Sequence, residues 1–136
     1  MYLLDTNVVS EMRRERPHGA VSAWMTSIDA SSLYMSAVVV GEIQIGIERT
    51  AASNPERAVE LAGWLDDIVS TARILPADAE VFRIWAKFAV RIDDKHIIDA
   101  LIAATALRHN MTVVTRNVRD FEPLGVRVLN PFEHKM

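Results

Sequence analysis

Three carboxylates stand alone in apolar surroundings along this chain, and they are the residues best placed to do chemistry. Asp5 closes "MYLLD". Glu42 is the only charge between Ser36 and Ile47 in "SAVVVGEIQIGI", and Asp99 is the only charge between Ile97 and Leu107 in "IIDALIAATAL". Burying a lone carboxylate costs several kcal/mol unless something compensates it. Taken singly, each has an ordinary explanation. Acidic residues favour helix N-termini, so Asp5 and Thr6 could cap a following helix, and Asp94 could cap the one that carries Asp99. Taken together, the isolated carboxylates call for a shared explanation.

A divalent cation is one. Oxygen donors from Asp, Glu and Asn, with no thiol available, suit Mg²⁺ and, as the alternative, Mn²⁺. Asp5 and Asp99 would bind directly and Glu42 directly or through water. In "TVVTRNVRDF", Thr115, Asn117 and Asp120 follow an apolar run and project into the same neighbourhood. An acidic cluster at the end of a parallel sheet points to phosphoryl-ester chemistry, in which water attacks phosphorus in line. Carboxylates that bind a metal need neighbours to orient them. Asn7 and Thr115 are read in that role, as is Ser36, whereas Thr6 is read mainly as a helix cap. His96, one helical turn before Asp99, could approach the site, but a solvated helix start is the expectation. His18, His109 and His134 are peripheral.

The elements that must hold these residues follow from hydrophobic spacing. Short apolar, β-leaning runs occur at Tyr2–Leu4, Leu33–Met35, Arg73–Leu75, Thr112–Val114 and Val126–Leu129. Between them, Val21, Trp24, Met25 and Ile28 take helical spacing, as do Leu61, Trp64, Leu65 and Ile68, and nearly so Val81, Trp85, Phe88 and Ile92. The segment around Asp99 is apolar almost all round and reads as a buried central helix. Strands alternating with helices predict an α/β fold, a mostly parallel sheet covered by helices on both faces. Ligands then bind beyond the carboxyl ends of the strands. Pro17, Asn54-Pro55 and Pro76 mark helix boundaries, and residues 1–136 read as one domain without linker or repeat. Gly41 and Gly46 flank Glu42 within a helix, which predicts close helix packing there.

Composition narrows the class. With 136 residues, 50% of them hydrophobic and 24% charged, the chain is globular and not disordered. The absence of cysteine removes disulfides and thiolate chemistry. Asp5 interrupts the first apolar run, so no secretory signal is expected; no apolar stretch reaches the roughly 20 residues of a membrane span, and a cytoplasmic location is expected. A net charge of −3 excludes a bulk polycation that coats nucleic acid, though not a local grip.

The segments "YLLDTNVVSE", "SAVVVGEIQIGI", "HIIDALIAATAL" and "VVTRNVRDFEPLGVRVLNPF" resemble, in order, the motifs of PIN-domain ribonucleases, and most of all the VapC-type toxins of the FitB-like branch. The likeness covers essentially the whole chain. It implies a three-layer α/β/α PIN-like fold, metal-dependent endonucleolytic cleavage of RNA (tRNA being one candidate substrate), a homodimer and inhibition by a cognate antitoxin. DNA would be contacted only through that antitoxin. Asp5, Glu42 and Asp99 are carried over as the acidic core. The family's fourth acidic position often falls where this chain has Asn117, an amide without charge. Either Asn117 or, three residues on, Asp120 completes the site on this reading. Arg116, Arg119 and Arg13, with Arg14 and Arg16, could hold RNA phosphates or be ordinary solvated charges. Two other functions remain open at this level: a receiver-like Mg²⁺-binding signalling domain, and a non-catalytic PIN-like RNA-binding module. Paired acids after the first strand and a lysine closing the last, which a receiver would need, are not found.

Overall fold

The computed structural model describes residues 1–135. Its strands are β1 (Tyr2–Leu4), β2 (Leu33–Ser36), β3 (Ile74–Leu75), β4 (Thr112–Val114) and β5 (Val128–Leu129). They form one sheet in the order β3-β2-β1-β4-β5, and every pairing is parallel. The helices are α1 (Thr6–Met12), α2 (Gly19–Ser27), α3 (Ala37–Ser53), α4 (Pro55–Thr71), α5 (Ala79–Ala89), α6 (Ile97–Arg108) and α7 (Val118–Phe121). They cover both faces of the sheet in a three-layer α/β/α arrangement. Strands buried on two faces need apolar residues at successive positions. Leu3, Val113 and Val114 meet that need at 0% exposure. No helix among the described residues is long and apolar enough to cross a membrane.

The sheet order fixes where a site can form. From β1 the chain steps outward to β2 and β3, then returns to the opposite side of β1 for β4 and β5. The direction of winding therefore reverses between β1 and β4, and crevices open at the carboxyl ends of strands at such a point. The register pairs Leu4 with both Met35 and Val114, so β1 and β4 end level and β2 runs one residue further. Asp5 and Thr115 are the next residues of β1 and β4, and the Asp5 amide donates to the Val114 carbonyl at 2.9 Å.

The helix around Asp99 is the buried one its composition predicts. Ala100, Ile102, Ala103, Ala104, Thr105 and Ala106 of α6 are all buried, and the Thr105 hydroxyl donates to the Leu101 carbonyl at 2.9 Å instead of lacking a partner. Alanine at successive buried positions lets α6 lie close to its neighbours, α5 above all. The prolines act as expected: Asn54 ends α3 and accepts from the Arg57 amide to cap α4, with Pro55 at the first helical position.

Other expectations shift. β3 and β5 are shorter than the apolar runs that announced them, while β2 continues to Ser36. Gly41 and Gly46 are not packing glycines: a Cβ at either would meet nothing within 4 Å, and both are exposed. Asp94 does not cap α6; it opens a short 3₁₀ turn, Asp94–His96, that leads into the helix. Packing around α6 is tested by Ala103→Leu. The larger side chain has no room at a fully buried position, and urea unfolding should show a loss of about 1–3 kcal/mol with an unchanged slope.

Candidate active site

Asp5 is 4% exposed, and it occupies the N-cap position of α1. Its Oδ1 accepts from the Thr6 amide at 2.8 Å, and its Oδ2 accepts from the Thr115 hydroxyl at 2.8 Å and from the Asn7 side-chain amide at 3.2 Å. Asp5 is thus both a cap and a candidate ligand, the two roles that its sequence position left open. Burial raises its carboxyl above the ordinary range, and the bonds from Thr115, Thr6 and Asn7 pull it back down.

Thr115 and Asn7 join Asp5 to the end of β4. The Thr115 hydroxyl accepts from the Asn117 amide at 3.0 Å, and the Asn7 Oδ1 accepts from the Arg116 amide at 3.1 Å. Both residues therefore hold Asp5 and also shape the loop that leaves β4. Thr6 does something other than cap α1: its hydroxyl donates to Glu42 Oε1 at 2.6 Å, tying α1 to α3. Ser36 is buried, and its hydroxyl accepts from the Val38 amide at 3.1 Å as the cap of α3. That bond sets the helix on which Glu42 rides, with no direct bond from Ser36 to a carboxylate among the described residues.

Glu42, half-buried, is raised by burial; the Thr6 bond lowers it and the charge of Asp5 raises it again. Asp99, in the first turn of α6, is pushed up to about 6, chiefly by burial and then by the charge of Asp5. His96 opposes this shift, while Asp120 and Glu42 add to it. These couplings bring Asp5, Glu42, Asp99 and Asp120 into one electrostatic unit. His96, Asp99 and Asp120 also place one ligand atom each within 4.8 Å of one another.

Two placements differ in weight from their sequence signals. His96 is not a solvated helix start: its ring is half-buried and Nδ1 lies 3.5 Å from Asp99 Oδ2. The spacing of three residues was the available signal. Asn117 is exposed and faces a surface cleft, whereas Asp120, one helical turn on, is half-buried beside Asp99. Of the arginines, Arg116 stacks 4.4 Å above the Phe132 ring, a contact across the chain with no sequence signal of its own. Arg13 lies 5.9 Å over the Trp64 ring beside Glu42, in a groove between α1, α3 and α4. Arg119 lines the same cleft as Asn117.

The family model described as "PIN domain" matches residues 2–125, nearly the entire chain. The chain belongs to the PIN domain family. The VapC ribonuclease Y4jK of Sinorhizobium fredii is 34% identical over 98% of this chain and 99% of its own length. The toxin FitB of Neisseria gonorrhoeae is 36% identical over 97% and 99%. Among solved structures, that of FitAB bound to an IR36 DNA fragment superposes with a TM-score of 0.83 at 34% identity, covering 100% of this chain and 99% of that one. The matched PIN segment contains Asp5, Glu42, Asp99, Asn117 and Asp120; the turn that carries Phe132 lies beyond it.

The raised carboxyl of this PIN site has a measurable consequence without metal. The native state holds a proton on Asp99 up to about pH 6, while the unfolded chain releases it near the ordinary 3.8. The contribution is therefore full below the unfolded value and is lost as pH rises through the folded one. In thermal melts with EDTA, Asp99→Asn should match wild type near pH 4 and melt progressively higher than wild type toward pH 7. Parallel melting curves across that range would contradict the assignment.

Proposed function

We propose that this chain is a divalent-metal-dependent endoribonuclease and the toxin of a toxin–antitoxin pair. The observation that carries the reading is the convergence of Asp5, Glu42, Asp99 and Asp120 at the point between β1 and β4 where the sheet reverses its winding. Family membership and the ribonuclease and toxin names of the relatives support it.

The residues present fit a hard cation. Their donors are carboxylate oxygens, the carboxyls of Asp5, Glu42 and Asp99 are all raised, and burial and mutual repulsion raise them. A nearby positive charge would relieve both causes at once. Asp5 and Asp99 are proposed as direct ligands, with Glu42 binding directly or through water. Asp120 is the better fourth member than Asn117, because its carboxylate already lies beside Asp99. Mg²⁺ is the proposed ion, with Mn²⁺ as alternative. When bound, it lowers the pKa of water and offsets charge developing on the scissile phosphate.

The protein's own groups prepare that chemistry. Thr6, Asn7 and Thr115 hold Asp5 in a single orientation through donors to both of its oxygens. The Thr6 hydroxyl fixes Glu42 against α1, and His96 orients Asp99. RNA is the proposed substrate, structured RNA such as tRNA included. A cognate antitoxin and a second copy of the chain are the proposed protein partners, with DNA reached only through the antitoxin. Exposed Ile45, Val69, Phe82 and Val90 supply apolar surface for such contacts.

The test is cleavage of RNA by purified protein with Mg²⁺, Mn²⁺ or EDTA. Asp5→Asn or Asp99→Asn should each lower the divalent-dependent rate by about a thousandfold while leaving circular dichroism intact. Full activity in either variant sinks the mechanism. Metal and RNA binding without cleavage in the wild type would instead make the chain a PIN-like binding module.

A further inference from the structure

A cleft of about 550 Å³ opens beside the acidic centre. Arg116, Asn117, Arg119, Asn130 and Glu133 line it, and Asp120 belongs to both cleft and acidic centre. Two features make Arg116 different from an ordinary surface arginine. Its backbone amide donates to Asn7, whose own amide donates to Asp5, so its position is set two hydrogen bonds from the buried carboxylate. Its guanidinium lies 4.4 Å over the Phe132 ring.

Phe132 is itself held. Asn130 Oδ1 accepts from the Phe132 amide at 3.0 Å and so fixes the short turn Pro131–Glu133. The His18 ring meets Phe132 edge-on at 5.3 Å from the start of α2. Stacking on an aromatic face leaves the guanidinium edge free to donate, and it removes much of the rotamer freedom that an exposed arginine would lose on binding. Among the described residues neither Arg116 nor Arg119 is engaged in an ion pair.

We infer that Arg116, stacked on Phe132, is a preorganised contact for a phosphate of the RNA next to the scissile one, and that the cleft beyond it receives the attached nucleoside. The inference rests on the ribonuclease reading. Asp120, Glu122 and Glu133 also line the cleft and would repel phosphate, which leaves Arg116 and Arg119 as its attractive groups there. Arg116 is then a binding residue, and Phe132 a positioning residue that acts only through it.

The experiment measures binding of a short mixed-sequence single-stranded RNA to the full chain carrying Asp5→Asn, with Mg²⁺ present and salt varied. Adding Arg116→Ala should weaken binding about tenfold. It should also flatten the slope of log affinity against log salt by about 0.7, the loss of one phosphate contact on single-stranded nucleic acid. Phe132→Leu keeps the charge, so affinity should fall with the slope retained, and it should add nothing to Arg116→Ala. All of these variants should unfold in urea close to their parent, since Arg116 is exposed and Phe132 only partly buried.

Parental affinity and slope in Arg116→Ala overturn the phosphate contact. Additive effects of the two substitutions overturn the positioning role of Phe132. Failure of the wild type to cleave any RNA with a divalent ion counts against the ribonuclease reading. In that case the salt slope still decides whether Arg116 meets phosphate.

Discussion

The structure depends on keeping one nearly dry carboxylate, Asp5, ionisable at the end of its central strand. At 4% exposure the carboxylate loses most of its hydration. A charge so placed survives only where hydrogen bonds replace the lost water. The replacements are a backbone amide from α1, a hydroxyl from the end of β4 and a side-chain amide from α1. The two N–H donors can only donate, so they favour the carboxylate over its acid form. Each also ties down an element. Thr115 fixes the exit of β4, and Asn7 reaches on to Arg116.

This arrangement needs the register that the sheet supplies. Were β1 displaced by one residue against β4, every side chain of the strand would face the other layer. Asp5 would then lose Thr115. The apolar residues of β1 and β4 hold the strands level: Leu3 and Val113 are partners, as are Leu4 and Val114, and all four are buried. The same register works on the other side, where Met35 stands level with Leu4 and Ser36 caps the helix that carries Glu42. Core packing and site geometry are thus one constraint, because hydrophobic strands that align for burial also align their terminal polar residues.

What could be read from the sequence was whatever burial makes conspicuous. A charge inside an apolar run is visible without coordinates, which makes Asp5, Glu42 and Asp99 conspicuous and α6 legible as buried. The sheet was legible for the same reason, although β3 and β5 are shorter than their apolar runs. Short polar side chains were harder to place. Thr6 and Ser36 both flank helix starts, but which of them caps depends on the backbone angles of a single residue. Asp5 and Ser36 take the extended cap geometry, which frees the Thr6 hydroxyl for Glu42. The glycines beside Glu42 misled, since intrinsic helix propensity carries no information about what lies across from an exposed face. Contacts such as Arg116 over Phe132 join residues whose proximity only the completed fold creates.

The site is electrostatically uneven, and the unevenness separates the roles of its carboxylates. Asp5 has donors on both oxygens, so part of its desolvation is offset within the protein itself. Glu42 has one hydroxyl donor, and Asp99 has only a 3.5 Å approach from His96, which is a charged partner solely when protonated. The upward shift of Asp99, to about 6, comes chiefly from burial and then from the charge of Asp5, with only the His96 contact to lower it. In the proposed mechanism Asp5 is the fixed anchor. Asp99 and its neighbour Asp120 form the part of the pocket whose charge is least compensated by protein. A cation would gain most where compensation is least, so in the proposed mechanism Asp5 with the Asp99–Asp120 pair would hold it. The loop after β4 is drawn in by Asp5 on one side and runs on to Arg116 on the other. A phosphodiester held by that loop would meet positive charge along its backbone and the acidic pocket only where the ion neutralises it.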